Sequence, residues 1–220
     1  MPPICRIDNI VGLFWNKQLC IIKVLSKEAE MKVYLLDRNE TICNWWRVYF
    51  KDTKDVEIVC DDFESFVSKN NVECIVSPAN SYGIMDGGYD GAITSYFGRD
   101  LMRKVQDYIL NNFYGEQPVG SSCVVDINES QKLIHTPTMR IPSKIKDSMV
   151  VYHCMRSTLI LARKIGIKSI VIPAFGGDCG DVKYSVLAEM MYNAYCQVAN
   201  PPKEIDWGYA YRWAPEDDVV

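Results

Sequence analysis

Short apolar runs alternate with amphipathic stretches along most of this chain. Met31–Leu36 (MKVYLL), Val56–Val59, Cys74–Val76 and Ser169–Ile172 are brief and apolar, the pattern of buried strands. Between them the spacing changes to that of helices. Glu40–Phe50 carries Trp45, Trp46 and Phe50, with Asp37 and Asn39 as candidate caps. A short helical turn follows Asp61-Asp62-Phe63 and runs to about Lys69. In Gly91–Phe113, the residues Ile93, Tyr96, Phe97, Leu101, Val105, Tyr108 and Ile109 fall near helical spacing, with a break expected near Gly98-Arg99. Gly120–Asp126 and Lys132–Thr136 form a strand pair around the turn Asn128-Glu129-Ser130, the second a candidate to run antiparallel to a neighbour. Helices are expected from Asp147 to about Ile165, stopped at Gly166, and over Val182–Val198, ended by Pro201-Pro202. Strands and helices that alternate in this way specify an α/β fold, with a mostly parallel sheet covered on both faces.

Three segments follow from the same pattern. Residues 1–30 are an N-terminal extension, with Ile10–Phe14 and Cys20–Leu25 as two short strand candidates. Residues 31–200 form the domain, and no linker rich in Gly, Ser or Pro divides it. Residues 201–220 are an aromatic, acidic tail with Trp207, Tyr209, Tyr211 and Trp213. Aromatics at that density are expected to pack back on the domain.

Composition narrows the function classes. Of 220 residues, 48% are hydrophobic, enough for a substantial core. A net charge of −4 argues against a nucleic-acid-binding chain. Nine cysteines never form a C-x-x-C pair, so neither a metal site nor a disulfide framework is expected. Reduced thiols and the lack of a signal-peptide layout point to a cytoplasmic, reducing compartment. The most apolar early stretch, Ile10–Leu25, is interrupted by Lys17 and Lys23, so no membrane span is expected.

The chemistry concentrates in two Gly-rich loops, each leaving a short apolar strand. One runs Asn80–Asp90 and the other Pro173–Gly180 (PAFGGDCG). Ligands of open α/β sheets sit beyond the carboxyl ends of the strands, so both loops are placed to grip one ligand. A strand, a Gly-rich loop and a helix start together aim backbone N–H groups at an anion. Neither loop is a Walker or dinucleotide fingerprint. The two histidines, His135 and His153, read as structural, and no Ser occupies a G-x-S-x-G elbow. Asp90 is the better candidate for activating water, with a helix N-cap as its plainer role.

The stretch CIVSPANSYGIMDGGYDGAI resembles the first ligand loop of macro domains, commonly written NAAN followed by GGGVDGAI. Its SPAN and MDGG elements resemble a subgroup common in bacterial and phage sequences. HTPTMRIP is similar to that subgroup's APTMRVP segment, and SIVIPAFGGDCG to the second loop, P-[AG]-[FL]-G-T-G-x-G. MKVYLLDRNETICNWW is similar to the usual start. The match therefore runs from about Met31 to about Val198.

The resemblance implies a three-layer α/β/α macro-domain-like sandwich that binds ADP-ribose or another NAD-derived nucleotide. It also implies a metal-independent ADP-ribosyl hydrolase, a non-catalytic reader of such a ligand, or a degenerate fold used as an interaction module. Asp62 with Phe63 would sit at the adenine, with Asp61 as the alternative in the CDDF register. Asn80 would lie by the distal ribose, with Asp90 as its catalytic partner, and Ser81 would be a further ligand-binding residue. Gly87, Gly88 and Asp90 would form the first phosphate and ribose loop and Gly176, Gly177 and Gly180 the second, with Ala174, Phe175, Asp178 and Cys179 as further ligand-binding residues of that loop. Arg140 is either a phosphate partner or a surface residue. No cofactor is required; the partner is a small nucleotide or an ADP-ribosylated macromolecule. Gly177-Asp178 stands where the family usually shows Thr-Gly. A carboxylate against a diphosphate is repulsive, so Asp178 either points outward, marks a different ligand or weakens the site.

Overall fold

The computed structural model describes residues 31–213, so the N-terminal extension and the last residues of the tail lie outside the described residues. Six strands, β1 (Lys32–Asp37), β2 (Val56–Cys60), β3 (Cys74–Ser77), β4 (Cys123–Asp126), β5 (Lys132–His135) and β6 (Ser169–Pro173), form one sheet in the order β2-β1-β6-β3-β5-β4. All neighbours pair in parallel except β4 with β5. β5 thus keeps the parallel sense toward β3 and reverses only toward β4.

Side-chain alternation assigns each strand residue to one of two cores. Val33, Leu35, Cys74, Val76, Ile134, Ile170 and Ile172 face one side, with the buried residues of α1 (Glu40–Tyr49), α5 (Met149–Lys164) and α6 (Tyr184–Ala199). Leu36, Ile75, Leu133 and Val171 face the other, against α2 (Phe63–Lys69), α3 (Gly88–Phe97) and α4 (Asp100–Phe113). The result is the three-layer sandwich, helices on both faces of a mixed, mostly parallel sheet.

Local chemistry sets the helix limits. Asn39 caps α1 by accepting from the Thr41 N–H at 2.9 Å, and Ile42, Cys43 and Trp46 bury the inner face. Asp37 accepts the Asn39 N–H instead of capping. Gly98, at φ 94°, separates α3 from α4. α3 begins at Gly88, three residues earlier than Gly91, because Gly87 and Gly88 supply the turn. In the tail, α7 (Trp207–Arg212) forms under an Asp206 cap. Trp213 packs against the first core, whereas Trp207 and Tyr211 stand exposed. No helix among the described residues is long and apolar enough to cross a membrane.

Candidate functional site

Five parallel strands end at one edge of the sheet, and their carboxyl-terminal loops converge there. They enclose a cleft of about 560 Å³, within the range of small-molecule sites.

The first wall is the segment from β3 to α3. Asn80 shapes it: its Oδ1 accepts from the Tyr82 and Ile84 N–H groups, and its Nδ2 donates to the Ile84 carbonyl at 2.8 Å. The Asn80 side chain lines the cleft while most of its hydrogen bonds serve the loop. Ser81 does not line it; fully buried, it ties the loop to Met139 and Arg140 through its backbone N–H. Among the described residues no side chain caps the start of α3, so the first-turn N–H groups of Gly88 to Asp90 lack a side-chain partner at the cleft.

Asp90 sits in that first turn. Its Oδ1 accepts from the Ser77 Oγ at 2.6 Å. Burial pushes its pKa up to about 7, against the opposing effect of the Ser77 bond. A carboxylate so placed is poised to exchange a proton near neutral pH. The Tyr89 hydroxyl beside it is buried without a hydrogen-bond partner among the described residues. Burial, together with the charges of Asp90 and Asp37, holds that phenol well above its ordinary range.

The second wall is the loop between β6 and α6. It folds tightly on itself: Val182 N–H donates to Gly176 O, and a Cβ on Gly180 would meet the Gly176 carbonyl oxygen at 2.7 Å. Ala174, Gly176, Gly177, Asp178, Cys179 and Gly180 line the cleft. Phe175 does not, because its ring is fully buried in the core below. Asp178 is exposed and points across to the first wall, its Oδ2 3.4 Å from the position a Cβ on Gly88 would take.

At the far end, Asp61, Asp62 and Phe63 line the cleft together. Asp62 caps α2 by accepting from the Ser65 N–H at 2.8 Å. Asp61 accepts from the Ser65 hydroxyl and the Asp62 N–H, which hold its carboxyl below the usual range. Phe63 is buried, edge-on to Tyr89 and Tyr96.

Arg140 stands apart from the cleft. Its guanidinium pairs with Glu116 and reaches the Tyr82 hydroxyl at 3.2 Å, on the outer side of the first wall. His135 is sealed in the core, its Nδ1 2.8 Å from Gln117, and burial lowers its pKa to about 4. His153 is exposed and does not line the cleft.

Sequence reasoning missed Asp37, Arg38 and Tyr184 as lining residues. The signal for Asp37 was present, since it ends a strand at the ligand edge. Burial raises its carboxyl pKa, and the charge of Asp178 adds to that rise. Among the described residues the lining carries six aspartates against one arginine, so an anionic ligand must be held mainly by backbone N–H groups and helix starts rather than by cationic side chains. Among the described residues, no three His, Cys, Asp or Glu side chains converge to hold a metal ion.

Comparison with known proteins adds three findings. The family model described as Macro domain matches residues 76–191. An uncharacterized protein of Aquifex aeolicus is 29% identical over 139 residues, 62% of this chain and 78% of that protein. A mutant of the Oceanobacillus iheyensis macrodomain solved with ADPR superposes at a TM-score of 0.53 and 23% identity, covering 60% of this chain and 73% of that one. The same macrodomain with ADP gives 0.51 at 24% identity, covering 57% and 68%. At these identities the two solved structures speak for the fold.

Proposed function

As this chain belongs to the macro domain family, we propose that its cleft binds ADP-ribose or a closely related NAD-derived nucleotide and hydrolyses an ADP-ribosyl linkage. The observation that carries the reading is the Ser77–Asp90 pair on one wall of a cleft whose two walls are Gly-rich loops. The ADPR and ADP in the Oceanobacillus iheyensis structures support the ligand class.

In this reading the adenine lies toward Phe63, with its exocyclic amine donating to Asp62, or to Asp61. The diphosphate lies between the two walls, on the first-turn N–H groups of α3 and the backbone of the second loop. The distal ribose lies by Asn80, whose second amide proton is not used in shaping the loop. Asp90, ionised, takes a proton from water; the resulting hydroxide attacks the anomeric carbon. The bond from that carbon to the modified group breaks, and the leaving group departs with the electron pair. The substrate is an ADP-ribosylated macromolecule or a small ADP-ribose ester. Burial of the Asp90 carboxyl, opposed by the Ser77 hydrogen bond, holds its pKa near the working pH.

A reader without turnover is the second reading, favoured by the loop-shaping bonds of Asn80 and by the carboxylate of Asp178 opposite. Turnover of an ADP-ribosylated protein by the full chain and by Asp90→Ala separates the two. A drop of at least a hundredfold in the variant, with ligand binding retained, supports the hydrolase. Binding without turnover in the unsubstituted chain supports the reader.

A further inference from the structure

We propose that Asp178 is a built-in charge competitor, a carboxylate at the start of α3 that sets how tightly the cleft holds an anionic ligand. The inference rests on the nucleotide-binding reading above and adds a regulator of affinity to it.

Four observations carry it. The Asp178 Oδ2 lies 3.4 Å from where a Cβ on Gly88 would sit, at the helix start that no side chain caps among the described residues. That helix start attracts negative charge, and Asp178 already supplies one. Second, the loop cannot carry Asp178 away cheaply. A Cβ at Gly180 or Gly176 would strike backbone or Ile145 at under 3 Å, the Ile145 N–H donates to Gly180 O, and the Asp181 N–H donates to Asp178 O. Third, nothing neutralises the carboxylate. Neighbouring Asp181 pairs with Lys144 at 2.6 Å, whereas the Asp178 carboxylate has no hydrogen bond or ion pair among the described residues. Its charge is felt instead by Asp37 across the cleft. Fourth, among the described residues the lining sets six aspartates against Arg38 alone, so the cleft as a whole does not offset the added charge.

The consequence has an unusual sign. Most phosphate-binding sites weaken as salt screens attraction to Lys and Arg. Here salt screens a repulsion, so added salt should hold or improve the affinity for an anionic nucleotide. An uncharged ligand should not respond.

The test is calorimetric titration of the full chain, Asp178→Asn and Asp178→Glu with ADP-ribose and with adenosine, at low and at high salt. Asp178→Asn is near-isosteric on an exposed side chain, and thermal melting confirms that each variant folds. At low salt, Asp178→Asn is expected to bind ADP-ribose about five- to tenfold more tightly, the size of one like charge removed at ~5 Å in a solvated cleft. The gain should shrink to about twofold or less at high salt, where the Debye length falls to ~3 Å. Asp178→Glu should match the unsubstituted chain, and adenosine should bind all three alike. Equal ADP-ribose affinity in the unsubstituted chain and Asp178→Asn overturns the inference alone, as does an equal gain for adenosine. Failure of every protein to bind ADP-ribose overturns the nucleotide reading and the inference with it.

Discussion

Ser77 Oγ donates a 2.6 Å hydrogen bond to Asp90 Oδ1, joining the end of β3 to the first turn of α3 across the whole first loop. Burial favours the neutral carboxyl and this bond favours the ionised one; burial wins, leaving a pKa of about 7. Ser77→Ala removes the opposing effect. The acidic limb of the pH–activity profile, which follows ionisation of Asp90, should move about one unit toward alkaline pH. A limb that stays in place would remove the Ser77 bond from the tuning of Asp90.

The same burial links stability to pH, and here two groups oppose each other. Asp90 has its carboxyl raised from 3.8 to about 7 on folding, so the folded state holds the extra proton between those values. Its contribution to stability is full at low pH and is lost as pH rises through about 7. His135 is lowered from 6.5 to about 4, so its contribution is present at neutral pH and is lost as pH falls through that window. In the unsubstituted chain the two slopes offset. Asp90→Asn should therefore be stabilised at pH ~8 by on the order of 2 kcal/mol, below the ~4 kcal/mol of the full shift because the residue keeps partial exposure. His135→Gln, at a cost in packing, should expose the Asp90 slope alone. Denaturant melts of both variants across pH ~4 to ~8 check the signs.

Asp62 has two roles that one substitution separates. Asp62→Ser keeps an oxygen for the Ser65 N–H and so keeps α2 capped, with stability changed by only a few tenths of a kcal/mol. It removes the carboxylate proposed for the adenine amine. Affinity for ADP-ribose should fall about five- to twentyfold while the melting temperature holds. An unchanged affinity would shift the adenine contact to Asp61 or leave Asp62 as the α2 cap alone.

Gly180 and Arg140 should behave oppositely. Gly180→Ala drives a Cβ to 2.7 Å from the Gly176 carbonyl oxygen, a backbone atom that cannot step aside alone. The second loop must open, at about 1–3 kcal/mol of stability and with a loss of ligand affinity. Arg140→Ala breaks an exposed pair with Glu116 on the far side of the first wall, and ligand affinity should stay within about twofold. Titration and melting of the two variants side by side provide the check.

The layers and strand directions were legible in the sequence because apolar runs such as Cys74–Val76 and Ser169–Ile172 are short, buried on both faces and bounded by turn residues. The two loops were legible because glycines cluster directly after those runs. What was not legible depended on tertiary packing. Ser81 and Phe175 sit inside the ligand motifs, yet the folded loops bury both completely. Arg140 reads as a phosphate partner only until Glu116, 24 residues away, is brought beside it. Asp37 reads as a helix cap until the parallel sheet brings its strand end to the cleft. The direction of Asp178 required the fold of a loop whose glycines pack against one another.

Titration of the full chain with ADP-ribose, followed by calorimetry beside Gly180→Ala, tests the nucleotide cleft most directly. One-to-one saturable binding in the unsubstituted chain, weakened by Gly180→Ala, is the expected result. No heat of binding at millimolar ADP-ribose, at low or at high salt, would contradict it.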